Sequence, residues 1–286
     1  MIKQIITHPG SAHKDDFLAC CLLMAEYGVA VHRREPSQEE VADPEIAVVD
    51  VGGSHDPDLM NFDHHQFPAD HPPLCALSLV LQYLGLYEDA RALCDWLEPV
   101  EWFDTRGPVQ TSAWLGVERE TLGKLQSTIE LSMMRRFAGQ QRIDVGTSLW
   151  ETMNWIGGDL LHYLRGMRER IQALSTMVTF WEIAKGEDII RVMFLPRMEG
   201  NYDDPSGAMG RYLRMCGKEG EIFAMVYPDR RGSGYGLSRL NDYPRFDFTR
   251  IKGENDVHFA HARGFVAKTT ATEEDRLREL IAMAWA

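Results

Sequence analysis

The stretch IKQIITHPGSAHKDDFLACCLLMAEYGVAVH, residues 2–32, decides the fold class of this chain. Ile2–Thr7 is a short β-favouring apolar run that breaks at His8-Pro9-Gly10, which reads as a buried strand entering a loop. Phe17–Tyr27 is apolar over a helical length and stops at Gly28, and Val29–His32 then reads as a second strand. Further along, Ile46-Ala47-Val48-Val49-Asp50 is a third apolar run that ends on the glycine pair Gly52-Gly53. Strand, helix and strand in alternation predict an α/β fold, a parallel sheet with crossover helices. Ligands of such sheets gather beyond the carboxyl ends of the strands, where this reading places His8 and Asp50.

Outward from that core, Leu74–Leu86, Ala90–Glu98, Leu115–Phe137 and Leu160–Ser175 have helical spacing. The pattern changes near Thr176. Val178–Ile183, Lys185-Gly186-Glu187-Asp188 and Ile189–Leu195 predict a β-hairpin. A helix over Ala208–Cys216, a strand over Ile222–Tyr227 and a closing helix over Glu273–Trp285 complete a smaller α+β domain. The expected organisation is a first domain over residues 1–150, a helical connector over 151–176 and a C-terminal domain over 177–286.

A chain of 286 residues, 44% hydrophobic and 26% charged, can build its own core. No run approaches the roughly 20 apolar residues of a spanning helix, and the N-terminus lacks the pattern of a secretory signal. Five cysteines are an odd number without framework spacing, and Cys20 and Cys21 sit in an apolar run where buried thiols are the simpler reading. A reducing, cytoplasmic setting is therefore expected, and a homo-oligomer stays open. The net charge of −13 argues against a protein that coats long nucleic acid, but not against an oligonucleotide substrate.

Four groups carry the chemistry. His8, His13 and Asp15, within eight residues, can converge from one loop, and imidazole with carboxylate suits manganese, iron, zinc or cobalt better than calcium. A polar loop that caps the next helix through Asp15 or Asp16 explains the same residues equally well. Asp50 ends a buried strand, where an unpaired carboxylate is costly. Asp63-His64-His65 offers a metal ligand, a neighbouring proton donor and a carboxylate to set an imidazole tautomer. Asp104, before an expected turn at Gly107-Pro108, is unremarkable by pattern alone. His162, Trp150 and Trp155 read as ordinary helix and core residues. Gly232–Gly236 lacks the lysine of a phosphate loop and reads as a hairpin turn.

Together these residues resemble the DHH phosphoesterase superfamily, and within it the melanocyte-proliferating-gene (MYG) family. The family's Thr-His-x-Gly-x-x-His-x-Asp-Glu is matched by Thr7 to Asp16, with Asp16 in place of Glu. Its Val-Asp-Val-Gly-Gly and Asp-His-His-Gln are matched by Val49 to Gly53 and Asp63 to Gln66. A C-terminal Phe-x-His-x-x-Gly-Phe element is matched by Phe259 to Phe265. Where the family has Asp-Asn-Gly, this chain has Asp104-Thr105-Arg106-Gly107.

The resemblance implies two divalent ions, manganese first, with magnesium, cobalt or zinc as alternatives. His8, His13 and Asp50 would hold one ion, and Asp15, Asp50, His64 and Asp104 the other. Asp63 would orient His64, and His65 would meet the phosphate or its leaving group. His261, Gly264, Arg263 and Arg239 would contact substrate. The implied activity is phosphodiester hydrolysis, first as 3′-to-5′ exonuclease action on RNA or short oligonucleotides. A pyrophosphatase or cyclic-dinucleotide phosphodiesterase with the same centre, and a metal-stabilised interaction protein without turnover, are the rival readings.

Overall fold

In the computed structural model, residues 1–197 and 205–286 are described. Two compact units divide at Gly166 and Met167. The first contains strands β1 (Gln4–Thr7), β2 (Ala30–Arg33), β3 (Ile46–Val49), β4 (His55–Asp56), β5 (Asn61–Phe62) and β6 (Arg142–Ile143). Its helices are α1 (Lys14–Tyr27), α2 (Gln38–Val41), α3 (Ala76–Tyr83), α4 (Tyr87–Leu93), α5 (Leu97–Leu115), α6 (Arg119–Lys124) and α7 (Thr128–Ala138), and α8 (Ser148–Met177) runs through the division. The sheet order is β4-β5-β3-β1-β2-β6. β1 pairs in parallel with both β2 and β3, and β3 in parallel with β5, while β4 and β6 add antiparallel edges.

The α/β architecture expected from the alternating runs is therefore present. Central parallel strands are covered on both faces, which explains why all four residues of β3 are buried and why Ile5 and Ile6 of β1 are sealed from solvent. Helix α1 is buried almost all round from Ala19 to Met24 apart from its ends, consistent with its uninterrupted apolar sequence. Gly28 closes it in the left-handed conformation, φ 70°, donating its N–H to the Met24 carbonyl. Helix α8 passes so near α1 that a Cβ on Gly157 would sit 2.0 Å from the Cys21 carbonyl oxygen.

Helix boundaries in the middle of the chain differ from the sequence reading. Ala90–Glu98 is not one helix: Cys94 leaves helical dihedrals (φ −117°, ψ 88°), so α4 ends there and α5 begins at Leu97. Nor does Leu115–Phe137 form a single helix, because Gly116 in the left-handed region ends α5 and two shorter helices follow. The Gly107-Pro108 pair, expected as a turn, instead kinks α5.

The buried Glu101 sets the position of α5. Its carboxylate accepts from Ser78 of α3, from Tyr87 of α4 and from Arg91 of α4, at 2.7, 2.8 and 3.0 Å. Asp104 lies one turn further along the helix that this network anchors.

The second unit holds β7 (Thr179–Lys185), β8 (Asp188–Phe194), α9 (Pro205–Met215), β9 (Ala224–Pro228), β10 (Tyr235–Arg239), β11 (Val257–Ala260), β12 (Val266–Thr269) and α10 (Glu274–Ala284). Its sheet runs β11-β12-β10-β9-β8-β7, antiparallel except for the β8–β9 pair. The β7–β8 hairpin turns at Gly186, as the sequence predicts. Phe194, Val226, Leu237, Phe246 and Trp285 lie in one apolar cluster with Leu277 and Ile281 of α10. No helix among the described residues is long and apolar enough to cross a membrane. Cys20, Cys21, Cys75 and Cys94 are buried free thiols, and Cys216 is exposed and free.

Candidate metal centre

Four loops at strand and helix ends bring the N-terminal acids and histidines together. Asp50 leaves β3 in the left-handed region at φ 58°, which few residues other than glycine, asparagine and aspartate adopt. Its N–H donates to the Phe62 carbonyl, and this turns the side chain out of the strand at the sheet's carboxyl edge. His64 follows β5, which pairs with β3, and so enters from the neighbouring strand end. Asp15 sits in the first turn of α1, and Asp104 on α5.

Donor atoms of Asp15, Asp50, His64 and Asp104 all lie within 4.8 Å of one another. His64 Nε2 stands 3.0 Å from Asp50 Oδ1 and 2.9 Å from Asp104 Oδ2. His8 Nε2 is 3.4 Å from the other Asp50 oxygen, and His13 Nδ1 is 3.2 Å from Asp104 Oδ1. All six metal-ligand candidates therefore share one region, with Asp50 between His8 and His64.

The fit to a cation rests on unsatisfied atoms. Both Asp15 oxygens are buried without a hydrogen-bond donor, and Asp50 Oδ1, Asp104 Oδ2, His64 Nε2 and His8 Nε2 also lack one. The close pairs here stand at ion-pair distance without hydrogen-bond geometry. Buried carboxylates with no donors are costly, and a divalent ion is the compact partner that satisfies several at once. A mixed carboxylate and imidazole set suits manganese, iron, cobalt or zinc.

Protonation follows the same electrostatics. Burial, then repulsion from Asp50 and Asp104, pushes the Asp15 carboxyl far above the usual carboxylate range. Asp50 is raised by burial, against the pull of His64. Burial also raises Asp104, but His13 and His64 outweigh it and leave its carboxyl below the usual range. His8, held by Asp16 against the opposing effect of burial, is raised to about 9. His64 is raised as well, Asp104 and Asp50 overcoming its burial. Without metal, the cluster holds extra protons that a cation must displace.

Asp63 has a different partner from the one expected. Its carboxylate accepts from His65 Nδ1 at 2.7 Å, from the His65 N–H at 3.1 Å and from the Gly53 N–H at 2.6 Å, so it fixes His65 rather than His64. The reason is geometric: His64 turns inward to Asp50 and Asp104, and His65 is left at the rim, 64% exposed. Asp16, read as lying outside the ligand set, is completely buried and stands 3.1 Å from His8 Nε2 through one oxygen. Its other oxygen caps α1 by accepting from the His13 N–H.

Arg33, not singled out by sequence, supports this loop. Its buried guanidinium donates to the carbonyls of Gly10, Ser11 and Phe137, packs over the Phe137 ring and lies 3.8 Å from Asp16. The available signal was an arginine closing an apolar strand. Arg33→Met is expected to lose about 3 kcal/mol of stability by stranding these partners, and to weaken manganese binding roughly 10-fold or more by loosening the His8–His13 loop. Thermal unfolding with calorimetric titration of Mn²⁺ measures both. Unchanged manganese affinity would contradict the positioning role.

The residues expected to contact substrate lie in the second unit. His261, Arg263 and Gly264 form the tight turn between β11 and β12. The Arg263 N–H donates to His261 Nδ1, the His261 ring packs against Phe265 with centroids 4.0 Å apart, and Gly264 takes φ 67°. A Cβ at position 264 would meet Asp247 at 2.1 Å. The Arg263 side chain is exposed, with no partner among the described residues. Arg239 is committed elsewhere, to Asp242 and to the Phe246 carbonyl. Arg245 likewise pairs with Asp188 and the Ala286 carbonyl.

Comparison with known proteins finds similarity over the segment that carries most of these residues. Residues 4–73 match the family model MYG1_exonuc, described as an uncharacterised protein family (UPF0160). Proteins named "MYG1 exonuclease" from Bos taurus and Homo sapiens are each 46% identical over 65 residues, and that from Mus musculus 45%. The matched stretch covers 22% of this chain and 17% of each relative, so the chain aligns with about a sixth of the relatives' length. A solved structure titled "Member of s1p family of ribosomal proteins PF0399 DHH domain" aligns over 99% of this chain and 86% of its own, at 14% identity and a TM-score of 0.32.

Proposed function

We propose that this chain, whose N-terminal segment is of the MYG, DHH-type family, is a divalent-metal-dependent phosphodiesterase that removes nucleotides from the 3′ end of RNA or short oligonucleotides. The observation that carries the reading is the buried set Asp15, Asp50, His64 and Asp104, whose donor atoms converge without protein donors to satisfy them. These four would hold one ion, and His8 and His13, with the second oxygen of Asp50, the other. Bound there, the ions would supply an acidified water and positive charge beside the phosphoryl oxygens, the two effects that lower the barrier to phosphate-ester hydrolysis.

The chain's own groups divide the remaining work. Asp63 accepts from His65 Nδ1, so neutral His65 presents an unprotonated Nε2, and protonated His65 presents an N–H there. In that form His65 can give its proton to the departing oxygen, then recover one from solvent through its exposed face. Asp50 contributes a carboxylate oxygen to each half of the site, which ties the two together. In the same reading, residues 1–150 form the catalytic domain and residues 177–286 supply substrate contacts through His261 and Arg263.

The test is hydrolysis of end-labelled RNA and DNA oligonucleotides by the manganese-loaded protein. Release of mononucleotides from the 3′ end, abolished by chelation and restored by Mn²⁺, is expected. A manganese-loaded protein that leaves RNA, DNA and dinucleotides intact would overturn the proposal, whether or not it cleaves pyrophosphate.

A further inference from the structure

Beside the metal centre lies a cavity of about 270 Å³, close to the lower end of the ~300–1,000 Å³ typical of small-molecule sites. It is lined by His64, His65, Asp104, Thr105 and Arg106 together with Phe67, Pro68, Ala69, His71, Pro72 and Leu74 of the loop that follows the Asp-His-His segment. The cavity thus borders two of the ligand candidates, and its lining joins polar groups to the ring and aliphatic surface of the 67–74 loop, the shelf. Its size suits one nucleotide unit and not a length of strand.

The shelf is a built surface. The Phe67 N–H donates to the His64 carbonyl and the His71 N–H to the Pro68 carbonyl, each at 2.9 Å, so the loop is two successive turns. Gln66 Nε2 donates to the Asp63 carbonyl at 2.6 Å, anchoring the loop to the Asp-His-His segment. Phe67 stacks on His71 with centroids 4.4 Å apart, and His55 meets the same phenyl ring edge-on. Three prolines, Pro68, Pro72 and Pro73, restrict the backbone further.

Arg106 lines the same cavity. Its Nη2 donates to the His71 carbonyl, which ties it to the shelf loop. Among the described residues Nε and Nη1 have no partner, and no carboxylate neutralises the guanidinium. A half-buried guanidinium with Nε and Nη1 free in a cavity can take an anion there, and its fork matches phosphate oxygens.

We propose that this cavity seats the terminal nucleoside monophosphate unit, with Arg106 holding a non-bridging oxygen of its phosphate and the base lying against the Phe67–Pro68 shelf. The inference deepens the phosphodiesterase reading and rests on it for the placement of the phosphate. Since the shelf offers ring and apolar contacts and no base-specific donors, it accepts any base.

Binding and turnover separate the two ideas. Adenosine 5′-monophosphate, ribose 5-phosphate and inorganic phosphate are titrated calorimetrically into the manganese-loaded wild type, Arg106→Ala, Arg106→Lys and Phe67→Ala. The wild type is expected to bind the nucleotide more tightly than ribose 5-phosphate. Arg106→Ala should weaken nucleotide binding by about 10-fold or more, at unchanged manganese content. Arg106→Lys should recover part of the loss, and Phe67→Ala should remove the preference for the nucleotide over ribose 5-phosphate. Nucleotide affinity unaffected by Arg106→Ala, or inorganic phosphate bound as tightly as the nucleotide by wild type, would overturn the inference. Arg106-dependent nucleotide binding without hydrolysis of any RNA, DNA or dinucleotide would sustain the pocket and overturn the phosphodiesterase reading; hydrolysis with no Arg106 dependence would do the reverse.

Discussion

Asp50→Asn is expected to lower phosphodiester hydrolysis by roughly 10³-fold or more and to reduce bound manganese, while leaving the fold intact. Asparagine keeps the shape and tolerates the left-handed backbone that Asp50 adopts at φ 58°. What it removes is the negative charge standing 3.0 Å from His64 and 3.4 Å from His8. Burial raises the Asp50 carboxyl, so in the metal-free fold that charge is carried against the protein's own preference. The neutral variant should therefore melt no lower than wild type without metal, yet gain little when Mn²⁺ is added. Metal analysis, thermal melts and steady-state kinetics on the same preparation separate these effects. Turnover within about 10-fold of wild type would remove Asp50 from the centre of the site.

Saturating Mn²⁺ should stabilise the metal-free protein by about 3–4 kcal/mol at 100–1,000 times Kd, a rise in Tm of roughly 6–15 °C. The size of that rise should grow with pH. His8, raised to about 9, stabilises the metal-free fold fully below the unfolded imidazole value and loses that contribution as pH climbs through 9. The buried Asp15 acts in the same direction, because its charge is disfavoured in the fold and becomes a burden as pH rises. Rising pH therefore weakens the metal-free state while freeing imidazole and carboxylate for the cation. Melts with and without Mn²⁺ between pH 6 and 9 are the measurement. A metal-induced shift that shrinks over that range would contradict the assignment of His8 and Asp15 to the site.

How much of this was legible in the sequence depended on whether a residue's role was local. The parallel sheet announced itself through Ile5-Ile6 and Ile46–Val49, because strands buried on both faces have no polar alternation to blur them. His8 and Asp50 stood at the breaks of those runs, where the chain leaves the sheet. The direction of Asp63 was not legible, since neighbouring histidines on one loop diverge and only the fold decides which turns inward. Asp104 had no pattern of its own because its placement depends on Glu101 and partners from two other helices. Arg33 and Arg106 escaped for the same reason. Arg33 donates to carbonyls 22 to 104 positions away, and Arg106 to that of His71, 35 positions back. The kink at Gly107 illustrates the limit from the other side: a glycine-proline pair marks a break without saying whether the helix resumes.

The central claim is that Asp15, Asp50, His64 and Asp104 bind a divalent ion. Crystals grown with Mn²⁺ and measured at the manganese absorption edge test it most directly. The account predicts an anomalous peak bonded to oxygens of Asp15, Asp50 and Asp104 and to Nε2 of His64, with a second peak between Asp50, His8 and His13. A protein that hydrolyses phosphodiesters with Mn²⁺ but shows no peak among these four side chains would contradict it.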